Sequence, residues 1–404
     1  MTASAVASAA PDRGEVSLAQ TAAEHWPFYD EDEIEAVASV LRSGRVNQWT
    51  GGEVFAFQSA LEERFQGGHG IAVANGSLAL ELALRAFDIG PGDEVIVTPR
   101  TFVASAFCAM LVGATPVFAD VDPESGNITA DSIEAVLTER TKAVIPVHLG
   151  GWPAEMGPIM ELARRRDLKV IEDCAQAVGA EIDGRPIGSF GDSAAFSFCQ
   201  DKIISTGGEG GYTSFKDRDA WDWAWSFKDH GKNYTKRFAP DPKPGFVWLH
   251  DSVGTNWRMP GPLAAIGIAQ LKKLDQWVEI RRRNAAIWTE ALAGVPGLSV
   301  PAPRDGIRHA YYKHYAYLDD VPEAERLRDL ILARAAEAEL KVFSGSCSEV
   351  YLELAFAGLE RPDMPVARSL GRRSLMVEVH PTLRPDLLEL RAEALARIVK
   401  DVLG

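Results

Sequence analysis

FSFCQDKIISTGGEGG, residues 196–211, is the most informative segment of this chain. An apolar run ends at Cys199, Lys202 follows at once, and a glycine-rich turn leads into a second apolar run, GGYTSF (210–215). A lysine just past a buried strand is held near the edge of a sheet with little freedom to wander. A desolvated amine in such a place has a lowered pKa and can form an imine with an aldehyde. Ser197 can offer its hydroxyl to a phosphate, and Gly207, Gly208, Gly210 and Gly211 let the backbone pass close to a planar ligand. The same residues also fit a surface lysine ahead of a hairpin.

From about residue 70 to residue 215, short apolar runs alternate with longer amphipathic ones. EVIVTP (94–99), TPVFADV (115–121), KAVIPVHL (142–149), KVIEDC (169–174) and AAFSFC (194–199) have strand character. SLALELALRAF (77–87), TFVASAFCAMLV (101–112), ADSIEAVLTER (130–140) and AEMGPIMELARRR (154–166) have helical spacing. Strands that are apolar throughout are covered on both faces, which predicts an α/β fold with a mostly parallel sheet flanked by helices. Ligands of such sheets sit beyond the carboxyl ends of the strands. The stretch 217–260 reads as an extended loop region, 261–294 as a long helix, and a new apolar pattern near Ala310 as part of a smaller C-terminal α/β domain.

Three further elements fall where that rule directs attention. Asp173 ends a run that reads as a buried strand, where an unpaired carboxylate is costly and a pyridinium-like cation would compensate it. Gln176 follows within reach of the same ligand; equally, Asp173 can be a loop residue capping the next turn. Asn75-Gly76-Ser77 opens an amphipathic helix, and a helix N-terminus of this kind binds phosphate, although an ordinary cap by Ser77 explains it too. Phe102, in RTFVAS (100–105), can lay its ring over a planar cofactor or simply pack in the core.

Composition narrows the classes. The chain has 404 residues, 46% hydrophobic and 25% charged, which suits a soluble protein of more than one domain. A net charge of −15 opposes general binding to nucleic acid. Cys108, Cys174, Cys199 and Cys347 are scattered, as in the reduced thiols of a cytoplasmic protein, and no metal-ligand spacing is present. No apolar run is long enough to span a bilayer. The aromatic and basic stretch 221–234 fits either a nucleotide contact or a packing segment. His148, His230, His309 and His380 are expected to be structural in at least half of the cases.

NGSLALELAL, GPGDEVIVTPRTFVAS, KAVIPVHLGG, VIEDCAQAVGA, FSFCQDKIISTGGEGG and GTNWRM (254–259) occur in an order that resembles the DegT/DnrJ/EryC1/StrS family of sugar aminotransferases, which are fold-type I pyridoxal-phosphate enzymes. The likeness runs from residue 26 to residue 383. It implies a flexible tail over 1–25, an N-terminal segment over 26–52 packed near the small domain, a large cofactor-binding domain over 53–284 and a small domain over 285–404. It implies Lys202 as the Schiff-base lysine, Asp173 as partner of the pyridine nitrogen, Gln176 near the ring hydroxyl and Phe102 as the stacking aromatic. Gly76, Ser77 and Ser197 would hold the phosphate, and Asn256 would reach the phosphate of the neighbouring subunit in a homodimer. The implied substrates are glutamate or glutamine as donor and a keto sugar, nucleotide-linked, as acceptor. A cyclitol-ketone or aminohydroxybenzoate reaction, or a non-catalytic protein of the same fold, are the alternatives; the presence of both Lys202 and Asp173 speaks against the last. Arg100 stands where an uncharged residue is common and is read as a substrate-facing cation. The segment 343–356 is read as bordering the site.

Overall fold

The computed structural model describes residues 24–240 and 245–404, so the expected tail lies outside the described residues except for its last two. In chain order the strands are β1 (His69–Val73), β2 (Glu94–Val97), β3 (Thr115–Phe118), β4 (Thr141–Ile145), β5 (Lys169–Asp173), β6 (Glu181–Ile182), β7 (Arg185–Pro186), β8 (Ser193–Ser197), β9 (Gly211–Phe215), β10 (Leu298–Ser299), β11 (Ile307–Arg308), β12 (His314–Leu318), β13 (Val342–Phe343) and β14 (Ser374–Val377). The helices are α1 (Glu31–Ser43), α2 (Glu53–Phe65), α3 (Gly76–Ala86), α4 (Ala104–Leu111), α5 (Ala130–Glu134), α6 (Met156–Arg166), α7 (Arg218–Phe227), α8 (Tyr234–Arg237), α9 (Gly261–Leu292), α10 (Ala324–Glu337), α11 (Pro365–Arg373) and α12 (Pro385–Leu403).

A seven-stranded sheet runs in the order β1-β9-β8-β5-β4-β2-β3. Neighbours from β8 to β3 pair in parallel, and β9 is antiparallel to both β8 and β1, so every strand but β9 points the same way. β2, β8 and β9 are buried at every position, which is why their sequences are not amphipathic. β5 and β8 are direct neighbours with Asp173 opposite Ala195. The carboxyl end of one strand therefore delivers Asp173 beside the loop that the other sends to Lys202.

The 32-residue α9 joins two packed bodies. Its N-terminal part, through Val278, contributes Ala264, Leu274 and Val278 to the core of the large sheet, and the rest contributes Ala285, Trp288 and Leu292 to a separate core under β10-β12-β14-β13. Trp26 bridges the two from the N-terminal side: it meets Trp277 edge-on at 5.0 Å and stacks with His380 at 6.3 Å. Glu24 is tied down as well, paired with Arg391 at 2.6 Å.

Two sequence expectations fail locally. The helix expected over 130–140 stops at Glu134, because the chain must turn before β4 begins at Thr141. The buried Glu94 takes Thr138 and Arg140 at that turn. The loop expected after residue 217 contains α7, capped by the Asp217 carboxylate. WDWAW alternates like a strand, yet burial follows the helix: Trp221 and Trp225 are enclosed and Trp223 faces outward. Tyr234 packs edge-on against both enclosed indoles, at 5.0 and 4.9 Å. The aromatic stretch 221–234 is thus a packing element, and these two indoles are not available to a nucleotide. Trp225→Ala should cost about 3–5 kcal/mol of unfolding free energy in a denaturant titration; a loss below about 1 kcal/mol would show that this face is not packed as described.

Candidate active site

A cavity of about 950 Å³ lies at the carboxyl ends of β5 and β8, between the N-terminus of α3 and the small domain. Gly76, Ser77, Phe102, Asp173, Gln176, Ser197 and Lys202 all line it. Residues far apart in sequence are brought together by the sheet, as the rule for parallel sheets anticipates.

α3 starts directly after β1, and its cap is Asn75, whose side chain accepts from the Leu78 amide at 3.0 Å. Ser77, read from sequence as the possible cap, is instead left exposed in the first turn. The first amides of a helix have no intrahelical acceptor, so this end presents N–H groups to the cavity. Ser197 closes in from β8: a Cβ on Gly76 would sit 2.6 Å from the Ser197 Cβ. Only glycine lets the helix end and the strand approach so nearly. The glycines after Lys202 do different work from that expected. Gly211 lies against the Asn75 carbonyl, where a Cβ would come within 2.2 Å, and none of the four lines the cavity.

Asp173 is 4% exposed. One carboxylate oxygen accepts from Ser105 Oγ at 2.8 Å and the other from the Ala175 amide at 3.1 Å. The Ser105 proton is committed to the carboxylate, so Thr101, 2.9 Å away, donates to Ser105. Burial nevertheless pushes the Asp173 carboxyl above its ordinary value, against the pull of Ser105, Ala175 and Lys202. The adjacent Glu172 has the opposite fate. Burial raises its pKa, but His148 and the amides of Gly188 and Gly191 more than offset that, and it ends below the usual range. The His148 ring accepts from the Ala154 amide on Nδ1 and faces Glu172 through Nε2 at 3.2 Å. His148, Glu172 and Cys174 bring ligand-type atoms within 4.8 Å of one another. Both ring nitrogens and both carboxylate oxygens are already engaged, so the group is structural.

Phe102 is 67% exposed, a large ring left open at the cavity wall. Gln176 is buried and its Oε1 accepts from the Gly150 amide at 2.8 Å, which leaves its Nε2 as the free donor. Lys202 Nζ sits 3.4 Å from Tyr312 Oη and 3.6 Å from Asp201 Oδ1. The Trp26 indole donates to the Lys202 carbonyl at 2.7 Å, so the N-terminal segment steadies the loop that carries the lysine. Phe343, Ser346, Cys347, Val350 and Glu353 form the far wall, in agreement with the sequence reading of 343–356.

One expectation is not met inside this cavity, and a second residue lies outside it. Arg100 is fully buried, 5.4 and 5.5 Å from the ring centres of Tyr315 and Tyr317, and is therefore a packed cation and not a substrate-facing one. Asn256 is exposed, in a backbone bridge with Asp229, and does not line the cavity of its own chain. Sequence reasoning missed Ser105, Asn75 and Tyr312. Ser105 and Asn75 lay inside quoted segments, but nothing in the sequence marked them as partners.

Because burial of the Asp173 charge is costly, Asp173→Asn should leave the cofactor-free protein at least as stable as the parent at pH 8. The raised folded-state pKa places this penalty above the ordinary carboxylate value of 3.8, so the gap should close as pH falls toward that value. Melting temperatures across pH check this, and a variant less stable at every pH would contradict it.

Comparison with known proteins agrees with this geometry. Residues 27–395 match the model of the DegT/DnrJ/EryC1/StrS aminotransferase family. A UDP-N-acetyl-3-dehydro-α-D-glucosamine 3-aminotransferase of Acidithiobacillus ferrooxidans is 39% identical over 336 residues, 82% of each chain. A GDP-perosamine synthase of Caulobacter vibrioides is 37% identical over 333 residues, 82% of this chain and 85% of that one. The solved structure of an aminotransferase from Psychrobacter cryohalolentis superposes with a TM-score of 0.89 at 46% identity, over 94% of this chain and 99% of the other. This chain therefore belongs to the DegT/DnrJ/EryC1/StrS aminotransferase family and is a pyridoxal-phosphate-dependent aminotransferase of fold-type I.

Proposed function

We propose that this aminotransferase moves an amino group from glutamate or glutamine to the keto group of a nucleotide-linked sugar, as a cytoplasmic homodimer. The observation that carries the reading is the meeting of Lys202 and Asp173 in one cavity, with Asp173 a buried carboxylate that no cation among the described residues approaches to ion-pair distance. A ring nitrogen bearing a proton is the missing partner, and the exposed start of α3 beside Ser197 is a place for a phosphate. These features fit pyridoxal phosphate.

Bound there, the cofactor supplies the electron sink that makes a proton on a carbon attached to it acidic. Asp173 would hold the ring nitrogen and keep it protonated. The amides of Gly76 and Ser77, with the hydroxyls of Ser77 and Ser197, would take the phosphate. Phe102 would cover one face of the ring, and Gln176 Nε2 would donate to the ring oxygen. Lys202 would hold the aldehyde carbon and, once the donor's amine has displaced it, carry the proton between the donor's α carbon and the cofactor as base and then acid.

Two relatives that match most of this chain are named for nucleotide-linked sugars, which supports that acceptor class. The volume of the cavity, near the top of the roughly 300–1,000 Å³ usual for small-molecule sites, leaves space beyond a phosphorylated ring. Asn256, exposed and outside its own cavity, supports the reading that it completes the site of a second copy. Among the described residues no helix is long and apolar enough to cross a membrane.

Lys202→Ala should keep pyridoxamine phosphate bound but lower turnover at least about 10²-fold, followed as the return of aldehyde absorbance when that form is mixed with a nucleotide-linked keto sugar. The enzyme in its pyridoxamine form, offered a panel of keto sugars with and without a nucleotide, should regain its aldehyde absorbance only with nucleotide-linked members. Equal response to the free sugars would remove the nucleotide from the proposal.

A further inference from the structure

We propose that Tyr312 and Asp201 form a cradle that receives the Lys202 amine whenever it is not bonded to the cofactor, and that Tyr312 is thereby a positioning residue for proton transfer. The inference rests on the reading of Lys202 as the proton carrier.

The cradle is built from both parts of the chain. Asp201 stands next to Lys202 on the loop after β8, while Tyr312 comes from the segment leading into β12. Lys202 Nζ lies 3.4 Å from Tyr312 Oη and 4.7 Å from the centre of its ring. The Tyr312 hydroxyl donates its single proton to Asp201 Oδ2, so its lone pairs are what the lysine meets. That arrangement suits an ammonium: three donors against one oriented acceptor, with a carboxylate 3.6 Å away to balance the charge. Burial and the neighbouring Asp201 push the Tyr312 phenol far above its ordinary value, so it stays protonated. Burial works against the Asp201 charge, but Lys202 and the Tyr312 hydrogen bond outweigh it and hold the carboxyl below its usual value.

The contact is also held firmly from behind. Tyr312 is 8% exposed, and its carbonyl accepts from the buried Arg281 of α9 at 3.4 Å. The Lys202 amide donates to the Cys199 carbonyl at 3.1 Å, and its own carbonyl is taken by Trp26. The other charged groups lining the cavity are Glu81, Asp173, Glu209, Lys313 and Glu353. None of these is within ion-pair distance of Nζ, whereas Asp201 is. A half-exposed ion pair contributes little to stability by itself. Its value here is to fix where a mobile amine waits.

The proton balance closes. A neutral Lys202 amine that takes a proton from the donor's α carbon would leave the electron pair of that C–H bond to the electron sink the bound cofactor supplies. The new N–H of the ammonium would be accepted by Tyr312 Oη, while the phenol keeps its own proton, hydrogen-bonded to Asp201. Giving up the carried proton would return the Lys202 amine to its neutral form.

Single-turnover mixing with glutamate tests this, since a misplaced catalytic group costs on the order of 10²-fold. Tyr312→Phe keeps the ring and removes only Oη; we expect a loss of about that size, donor binding within about threefold of the parent, and a larger isotope effect with α-deuterated glutamate. Asp201→Asn, at a half-exposed position where folding is not at risk, should lose about 10-fold, and the double variant should lose less than the product of the two. Independently of turnover, crystals loaded with pyridoxamine phosphate should show Nζ against Tyr312 Oη in the parent and displaced in Tyr312→Phe. Unchanged single-turnover rates, multiplying losses, or an Nζ that rests elsewhere in the parent would overturn the cradle while leaving the aminotransfer reading intact. A parent enzyme that accepts no amino donor would overturn both.

Discussion

A carboxylate closed off from water is the constraint around which this molecule is arranged. Asp173 reaches that position because β5 is a central parallel strand, buried from Val170 through its last residue. Two hydrogen bonds from Ser105 and Ala175 do not offset the loss of solvent, and the carboxyl remains harder to ionise than in water. A group this costly persists when something brings the opposite charge to it. On the proposed reading a protonated ring nitrogen would do so, and in return the carboxylate would keep that nitrogen protonated and electron-withdrawing.

The remaining parts of the site follow from where that strand ends. β8 lies beside β5 and sends its loop across the same edge, which sets Lys202 over the cavity. β1 belongs to the same sheet on the far side of β9 and feeds the N-terminus of α3, which places a phosphate-type site at the edge of the cavity. The chain after α9 closes the opposite wall with Tyr312 and the 343–353 segment. A buried carboxylate, an open helix end and an amine at the loop are thus three consequences of one sheet topology.

Much of this was legible in the sequence, for a physical reason. Lys202, Asp173 and the Gly76-Ser77 turn each sit at the end of an apolar run, and fully buried strands announce their ends clearly. Other features were hidden because they depend on contacts between distant segments. Arg100 precedes the Thr-Phe pair in a segment that faces the site, but its side chain turns back between Tyr315 and Tyr317 of β12, more than 200 residues later in the chain. The pairing of Asp201 with Tyr312 is invisible for the same reason. α7 was hidden by alternation: Trp221, Trp223 and Trp225 suggest period two, and only the core they meet selects the helical face. The role of the glycines after Lys202 was hidden too: Gly211 packs on the Asn75 carbonyl, and none of Gly207, Gly208, Gly210 and Gly211 lines the cavity.

The most direct test is chemical. The protein is reconstituted with pyridoxal phosphate, reduced with borohydride, digested, and its peptides are mapped by mass. A single pyridoxyl group on the peptide that contains Lys202 is the predicted result. An unlabelled Lys202, with the label on another lysine or on none, would contradict the account.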